Sequence, residues 1–226
     1  MNWILIIFMV AVTFTFLPSS SLNIATPIAR REVFTRATAA SVAFITASTA
    51  PSFTSAAESA PGGFETYSDK DYAFSLKYPA SWVATRQELA DRRVLELFVD
   101  PSASDTSVFV AYTPVRDDYT SLSSFGSLDQ VAQTSILPKG TLAGSDVDSK
   151  MLSSESKNSA YYFDYVVALP DQPERHLQSI FTLLPPASGS AGMTLVTITA
   201  QCLESDYPKR QGEIKSIIES YAKEKN

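Results

Sequence analysis

From Phe64 onward, apolar and polar positions alternate with a period close to two. Tyr72, Phe74, Leu76 and Tyr78 alternate with Ala73, Ser75 and Lys77 until Pro79 ends the run. Leu95, Leu97 and Val99 repeat the pattern before Asp100-Pro101. Such alternation predicts strands with one buried face. Residues 108–112 form an apolar run, and 161–168, 175–184 and 193–201 supply three longer strands. The segments between the last three, 170–174 and 185–192, are short and rich in Pro, Gly or Ser. A parallel crossover needs about a dozen residues or more, so these strands are expected to pair as antiparallel hairpins.

Two stretches break the alternation. Ser127 with Gln130 three residues on is a capping-box pattern for a helix running to about Leu137, before Pro138 and Gly140. At the C-terminus Ile214, Ile217, Ile218 and Tyr221 fall at i, i+3, i+4 and i+7, one apolar stripe on a helix starting near Pro208. Lys209, Glu213, Glu219 and Lys223 lie on its opposite face. Residues 138–159 are polar and predict a long loop flanking a peripheral strand around Met151-Leu152. Helices laid on a mainly antiparallel sheet give an α+β sandwich.

Upstream of Phe64 the pattern is different in kind. Residues 3–17 are a continuous apolar run closed by Pro18 and three serines, too short to span a bilayer comfortably and followed by small residues suited to cleavage. Arg30-Arg31 follows, with Val33-Phe34 behind it. A second, weaker apolar run rich in Ala, Ser and Thr closes on Ser55-Ala56-Ala57. This order has the form of a secretory signal followed by a twin-arginine export signal, with Arg30 and Arg31 as the recognition pair. Residues 1–57 are therefore expected to be a bipartite targeting presequence and 58–226 the folded domain. Two sorting signals in series imply two membranes crossed in turn, most economically into the thylakoid lumen of a plastid that lies within the secretory system.

Composition narrows the function classes. The presequence holds three of the 18 basic residues and one of the 24 acidic ones, which leaves 15 against 23 and a net charge of −8. Such a surface repels nucleic acid and anionic lipid. The remaining 169 residues suffice to bury about 70% of the unfolded-chain surface, so a monomer without metal or disulfide staples is expected. The single cysteine, Cys202, excludes an internal disulfide and any thiolate cluster. It shares strand parity with Val196, Ile198 and Ala200 and is expected to be an inert apolar-face residue.

Catalytic constellations are hard to find. No G-x-S-x-G, P-loop, dinucleotide fingerprint, H-E-x-x-H or EF-hand loop occurs. His176 is the only imidazole, two residues from Gln178 on the polar face of its strand, where a surface or hydrogen-bonded structural role is expected over that of general base. Asp117, Asp118, Asp146, Asp148 and Glu204 fall in loops or near a helix start, where turn and cap roles are the default.

The motifs GFETYSDKDYAFSLKYPASW (63–82), FVDP (98–101), SVFVAYTP (107–114), FGSLDQV (125–131), YYFDY (161–165) and ERHLQS (174–179), with the final strand and helix, occur in an order and spacing that resembles the PsbP family of thylakoid lumen proteins. The resemblance spans essentially the whole chain after residue 57. It implies an α-β-α sandwich around an antiparallel sheet, no catalytic activity, and a peripheral position on the lumenal face of the thylakoid membrane. The partner it implies is the lumenal side of photosystem II, where such a protein would stabilise or help assemble the oxygen-evolving complex and retain its calcium and chloride. An assembly or auxiliary role for photosystem I or another thylakoid complex is the alternative, and a lumenal enzyme with a site near His176 is a third reading. The resemblance implies no firm cofactor. It implies at most a weak calcium or manganese association, for which His176 is the one metal-ligand candidate. The family's Trp near the start of the last helix is Tyr207 here, and a longer PPASGSAG (185–192) replaces its tight turn, so the branch stays open.

Overall fold

The computed structural model describes residues 63–138, 141–142, 145–189 and 192–224. Residues 1–57, expected as a targeting presequence, and with them Arg30-Arg31, lie outside the described residues. Among the described residues the backbone forms twelve strands: β1 (Phe64–Asp69), β2 (Phe74–Pro79), β3 (Val83–Glu88), β4 (Val94–Val99), β5 (Ser107–Pro114), β6 (Thr141–Leu142), β7 (Ser145–Asp146), β8 (Asp148–Lys157), β9 (Ala160–Ala168), β10 (Arg175–Leu184), β11 (Thr194–Leu203) and β12 (Ala222–Lys223). Two helices join them, α1 (Leu128–Val131) and α2 (Tyr207–Glu219). Seven strands make the main sheet in the order β3-β4-β5-β11-β10-β9-β8, and β1-β2-β12 make a smaller one. Every pairing is antiparallel, as the short connections between β9, β10 and β11 require.

Strand parity divides the main sheet into two packed faces. On one, Val108, Val110, Tyr112, Ile180, Val196, Ile198 and Ala200 meet Ile214, Ile217 and Ile218 of α2 together with Phe74 and Leu76 of β2. Each fully buried Ile or Leu there is worth about 1.5–3 kcal/mol relative to exposure. This contact orients α2, since its apolar stripe is the one at helical spacing in the sequence. Cys202 lies on the same face, buried and unpaired in a disulfide. On the opposite face Phe163, Tyr165, Leu177, Phe181 and Leu195 pack under Val131, Ala132, Ile136 and Leu137. Helix on one face and helix on the other makes the α-β-α sandwich.

Local chemistry sets the elements' ends. Ser127 Oγ accepts from the Gln130 N–H, and Gln130 Oε1 accepts from the Ser127 N–H, which closes the capping box at the start of α1. After one α-helical turn the chain widens into a π-type turn over Ala132–Ile136, closed by the Leu137 N–H on the Ala132 carbonyl at 3.0 Å. The extra residue in that turn brings Ile136 and Leu137 onto the sheet beside Val131 and Ala132. The two sheets are tied by Asp69: its Oδ2 accepts from the Tyr112 hydroxyl, and its Oδ1 accepts the Asp71 and Tyr72 amides of the β1–β2 turn.

Two expectations are corrected. The peripheral strand expected around Met151-Leu152 is β8, but it extends well into the residues expected as flanking loop: it is a ten-residue edge strand paired to β9 with a bulge between Met151 and Ser153. An edge strand with little packed against either face carries no apolar alternation, so its polarity imitated a loop. In β4 both faces are buried, because Glu96 and Phe98 point toward the α2 side while Leu95 and Leu97 form a separate apolar cluster with Phe109 and Ala111.

Candidate functional site

The polar face assigned to His176 is not solvent. Even-numbered positions of β10 point toward α2, and the helix start covers the end of the sheet where His176 and Gln178 sit. His176 is only 3% exposed. A histidine buried in this way must place both ring nitrogens. Its Nε2 lies 2.7 Å from Asp164 Oδ1 on β9, and its Nδ1 lies 2.6 Å from Glu204 Oε2, just beyond the end of β11. A carboxylate at each nitrogen favours the doubly protonated ring, in which both N–H groups donate. Burial is the largest influence on the ring and works against the charge. The hydrogen bonds to Asp164 and Glu204, with their negative charges, outweigh it and raise the pKa above the ordinary value.

Tyr207, the first residue of α2, lies flat on the imidazole, with ring centroids 3.3 Å apart and planes within 7°. A cation over a tyrosine face is attracted by the ring quadrupole. Gln178 closes the cluster, its Nε2 donating to Asp164 Oδ2 at 3.0 Å and to Tyr207 Oη at 2.9 Å. The Glu204 N–H donates to the Glu174 carbonyl at 2.9 Å, which holds the β11–α2 turn against the entry to β10. The result is a clasp that joins β9, β10, the β11–α2 turn and the first turn of α2 through one protonated ring. Arg175, the neighbouring residue, points to the other face and pairs with Asp105 at 2.6 Å.

The clasp's chemistry is that of charge pairing. A general base needs a free lone pair, and both His176 nitrogens are engaged by carboxylates. A metal ion would likewise have to take a nitrogen away from Asp164 or Glu204. The two carboxylates approach opposite edges of the ring and do not converge on a common point. Among the described residues no group of three or more His, Cys, Asp or Glu side chains is placed to hold a metal ion. The arrangement fits a structural clasp better than a cation cage. Of the other carboxylates singled out in the sequence, Asp118 pairs with Arg116 at the surface, while Asp148 begins β8. Asp117 is left in the loop beside Asp118. Among those whose side chains are described, only Glu204 joins His176; the Asp146 side chain lies outside the described residues.

Asp164 and Tyr207 are the functional partners that sequence reasoning missed. Asp164 carried one signal: it breaks an aromatic and β-branched run (YYFDYVV) at a position whose parity matches Tyr162 and Val166. A charge on a face packed by a helix demands a partner.

Comparison with known proteins bears on the family and the fold. The sequence model of the PsbP family matches residues 62–222. The chain is 25% identical over 194 residues to PsbP domain-containing protein 3, chloroplastic, of Arabidopsis thaliana, covering 85% of this chain and 76% of that protein. Its fold resembles the solution structure of cyanobacterial PsbP (CyanoP) from Synechocystis sp. PCC 6803, with a TM-score of 0.51 at 16% identity, covering 76% of this chain and 98% of that one.

Proposed function

Because this chain belongs to the PsbP family, we propose that it is a non-enzymatic extrinsic protein of the thylakoid lumen that docks on the lumenal face of photosystem II. The observation that carries the reading is the clasp. The only imidazole in the chain is spent on holding the sheet to α2, so the domain offers a rigid shaped surface rather than a reacting group. Docked, it would exclude bulk solvent from the oxygen-evolving centre and help retain calcium and chloride there, through surface complementarity. The chloroplastic relative supports a plastid destination, and the two export-type segments ahead of residue 58 supply a route to the lumen.

An auxiliary or assembly role for photosystem I or another thylakoid complex is the second reading. It is favoured by the relative's description as a PsbP domain-containing protein and by Tyr207 at the position of the family's Trp. Native gels of gently solubilised thylakoids separate the two. Co-migration with photosystem II supports the leading reading, and co-migration with photosystem I overturns it. Attachment by an acidic domain should also be salt-sensitive. The Debye length falls from about 10 Å at 0.1 M to about 3 Å at 1 M, so a wash of roughly molar salt should release a resident subunit that low salt leaves bound. Recovery in the soluble fraction at low salt would favour a transient factor.

A further inference from the structure

A cleft of about 520 Å³ opens between the start of the domain and the outer side of α2, at the opposite parity to the helix's buried stripe. Phe64, Pro79 and Trp82 line it together with Asp100, Glu213 and Ser216. Phe64 is 47% exposed, an aromatic ring held at the lip with water on one side. A Cβ built on Gly212 meets nothing within 4 Å, so this stretch of α2 leaves the wall open. The volume lies within the range of ligand sites, and the lining combines apolar surface with a few placed polar groups.

The charges in the cleft do not balance. Arg210 is shared between Asp100 at 2.8 Å and Glu213 at 3.4 Å, one guanidinium for two carboxylates. Asp100 takes the better part. Its Oδ1 also accepts from the Ser102 N–H and hydroxyl, and these bonds hold its pKa low despite the burial that acts against them. Glu213 is left with the longer contact. Burial is the first influence on it and raises its pKa beyond what Arg210 recovers. A half-buried carboxylate in a cleft lined also by apolar side chains suits a long aliphatic stem ending in a cation.

We propose that this cleft docks a basic, extended segment of a partner protein, with a Lys or Arg stem lying along Phe64 and Pro79 and its charge reaching Glu213. The chain's own leading segment does not supply the cation, because residues 37–62 contain no Lys or Arg. The net charge of −8 carried by residues 58–226 would favour the approach of a basic segment. The proposal holds whichever thylakoid complex the protein serves, so it stands or falls separately from the reading above.

The test uses the only other tryptophan's removal. The chain has two tryptophans, Trp3 and Trp82, so the full chain carrying W3F reports the cleft alone through its fluorescence. N-acetyl-tetra-arginine amide is the probe and N-acetyl-tetra-citrulline amide its neutral isostere. The expected result is a saturable change in Trp82 emission with the arginine peptide and none with citrulline. Glu213→Gln should weaken binding by at least about tenfold, as should Phe64→Ala, which trims an exposed ring without touching the core. Asp118→Asn, a remote surface charge, should leave binding unchanged. Equal weakening by Asp118→Asn and Glu213→Gln would show diffuse attraction and overturn the site. Equal response to citrulline, or no Trp82 response to arginine, would overturn it too.

Discussion

Replacing His176 by Gln tests whether the clasp is a charged device. The variant keeps a polar side chain of similar reach and removes the cation, which leaves Asp164 and Glu204 facing each other's field with no compensating charge. A hydrogen bond to a charged partner contributes about 1.5–3 kcal/mol, and there are two. Simple doubling overstates the loss, because the Asp164 and Glu204 side chains are 26% and 38% exposed and water will screen them once the ring is gone. A net cost of about 3 kcal/mol is the expectation, or about 6–12 °C in midpoint at roughly 2–4 °C per kcal/mol for a domain of this size. The cost must also depend on pH in one direction. The folded-state pKa of His176 is raised above its ordinary value near 6.5, so the clasp's contribution is full below that value. It is lost as pH rises through the folded-state pKa. Differential scanning calorimetry of wild type and Gln variant at several pH values should show a midpoint gap that is widest in acid and narrows on the alkaline side. A gap that stays constant with pH would refute the imidazolium, and a gap under about 1 kcal/mol would refute the clasp.

Other expectations follow from single contacts. Gly126→Ala should destabilise by about 1–2 kcal/mol in chemical denaturation, because Gly126 has φ +111° and a new Cβ would fall 2.7 Å from Gln130 Oε1, the acceptor in the capping box. Cys202 should resist thiol reagents in the native state and label fully in denaturant, since it is buried and burial pushes its thiol up to about 11. Chelator and reductant should leave the thermal midpoint where it is, and a drop of several degrees with chelator would expose a structural metal. Replacing Arg30 and Arg31 by Lys should block lumenal delivery without altering the folded domain, and normal accumulation of that variant would mark the pair as incidental.

Much of the architecture was legible because it is written in short-range periodicity. The stripe Ile214, Ile217 and Ile218 predicts both the helix and the face it buries; Tyr221 is buried too, but it lies just past the helix end at Glu219, and Lys223, expected on the helix's outer face, belongs to β12. The hairpins from β9 to β11 follow from connections too short for a crossover, and the capping box at Ser127 follows from two side chains three residues apart. The full length of edge strand β8, beyond the short stretch expected around Met151-Leu152, escaped for the converse reason. Periodicity reports burial of one face, and a strand flanked by solvent has little to report.

The site was less legible. Sequence alone determined that a single imidazole stands on one face of its strand beside Gln178, outside the catalytic motifs sought along the chain. Whether that face is wet or covered depends on where α2 lands, and α2 lands where Ile214, Ile217 and Ile218 find the sheet. Asp164, His176, Glu204 and Tyr207 are spread over 44 positions of the chain and come from four different elements. Their meeting is set by the β9–β10 register, in which Asp164 pairs with Gln178, and by the turn that returns Glu204 over the end of β10. Local pattern encodes which face a residue points to. Electrostatic partnership acts through space over a few ångströms, and only the folded chain decides which charges come that close.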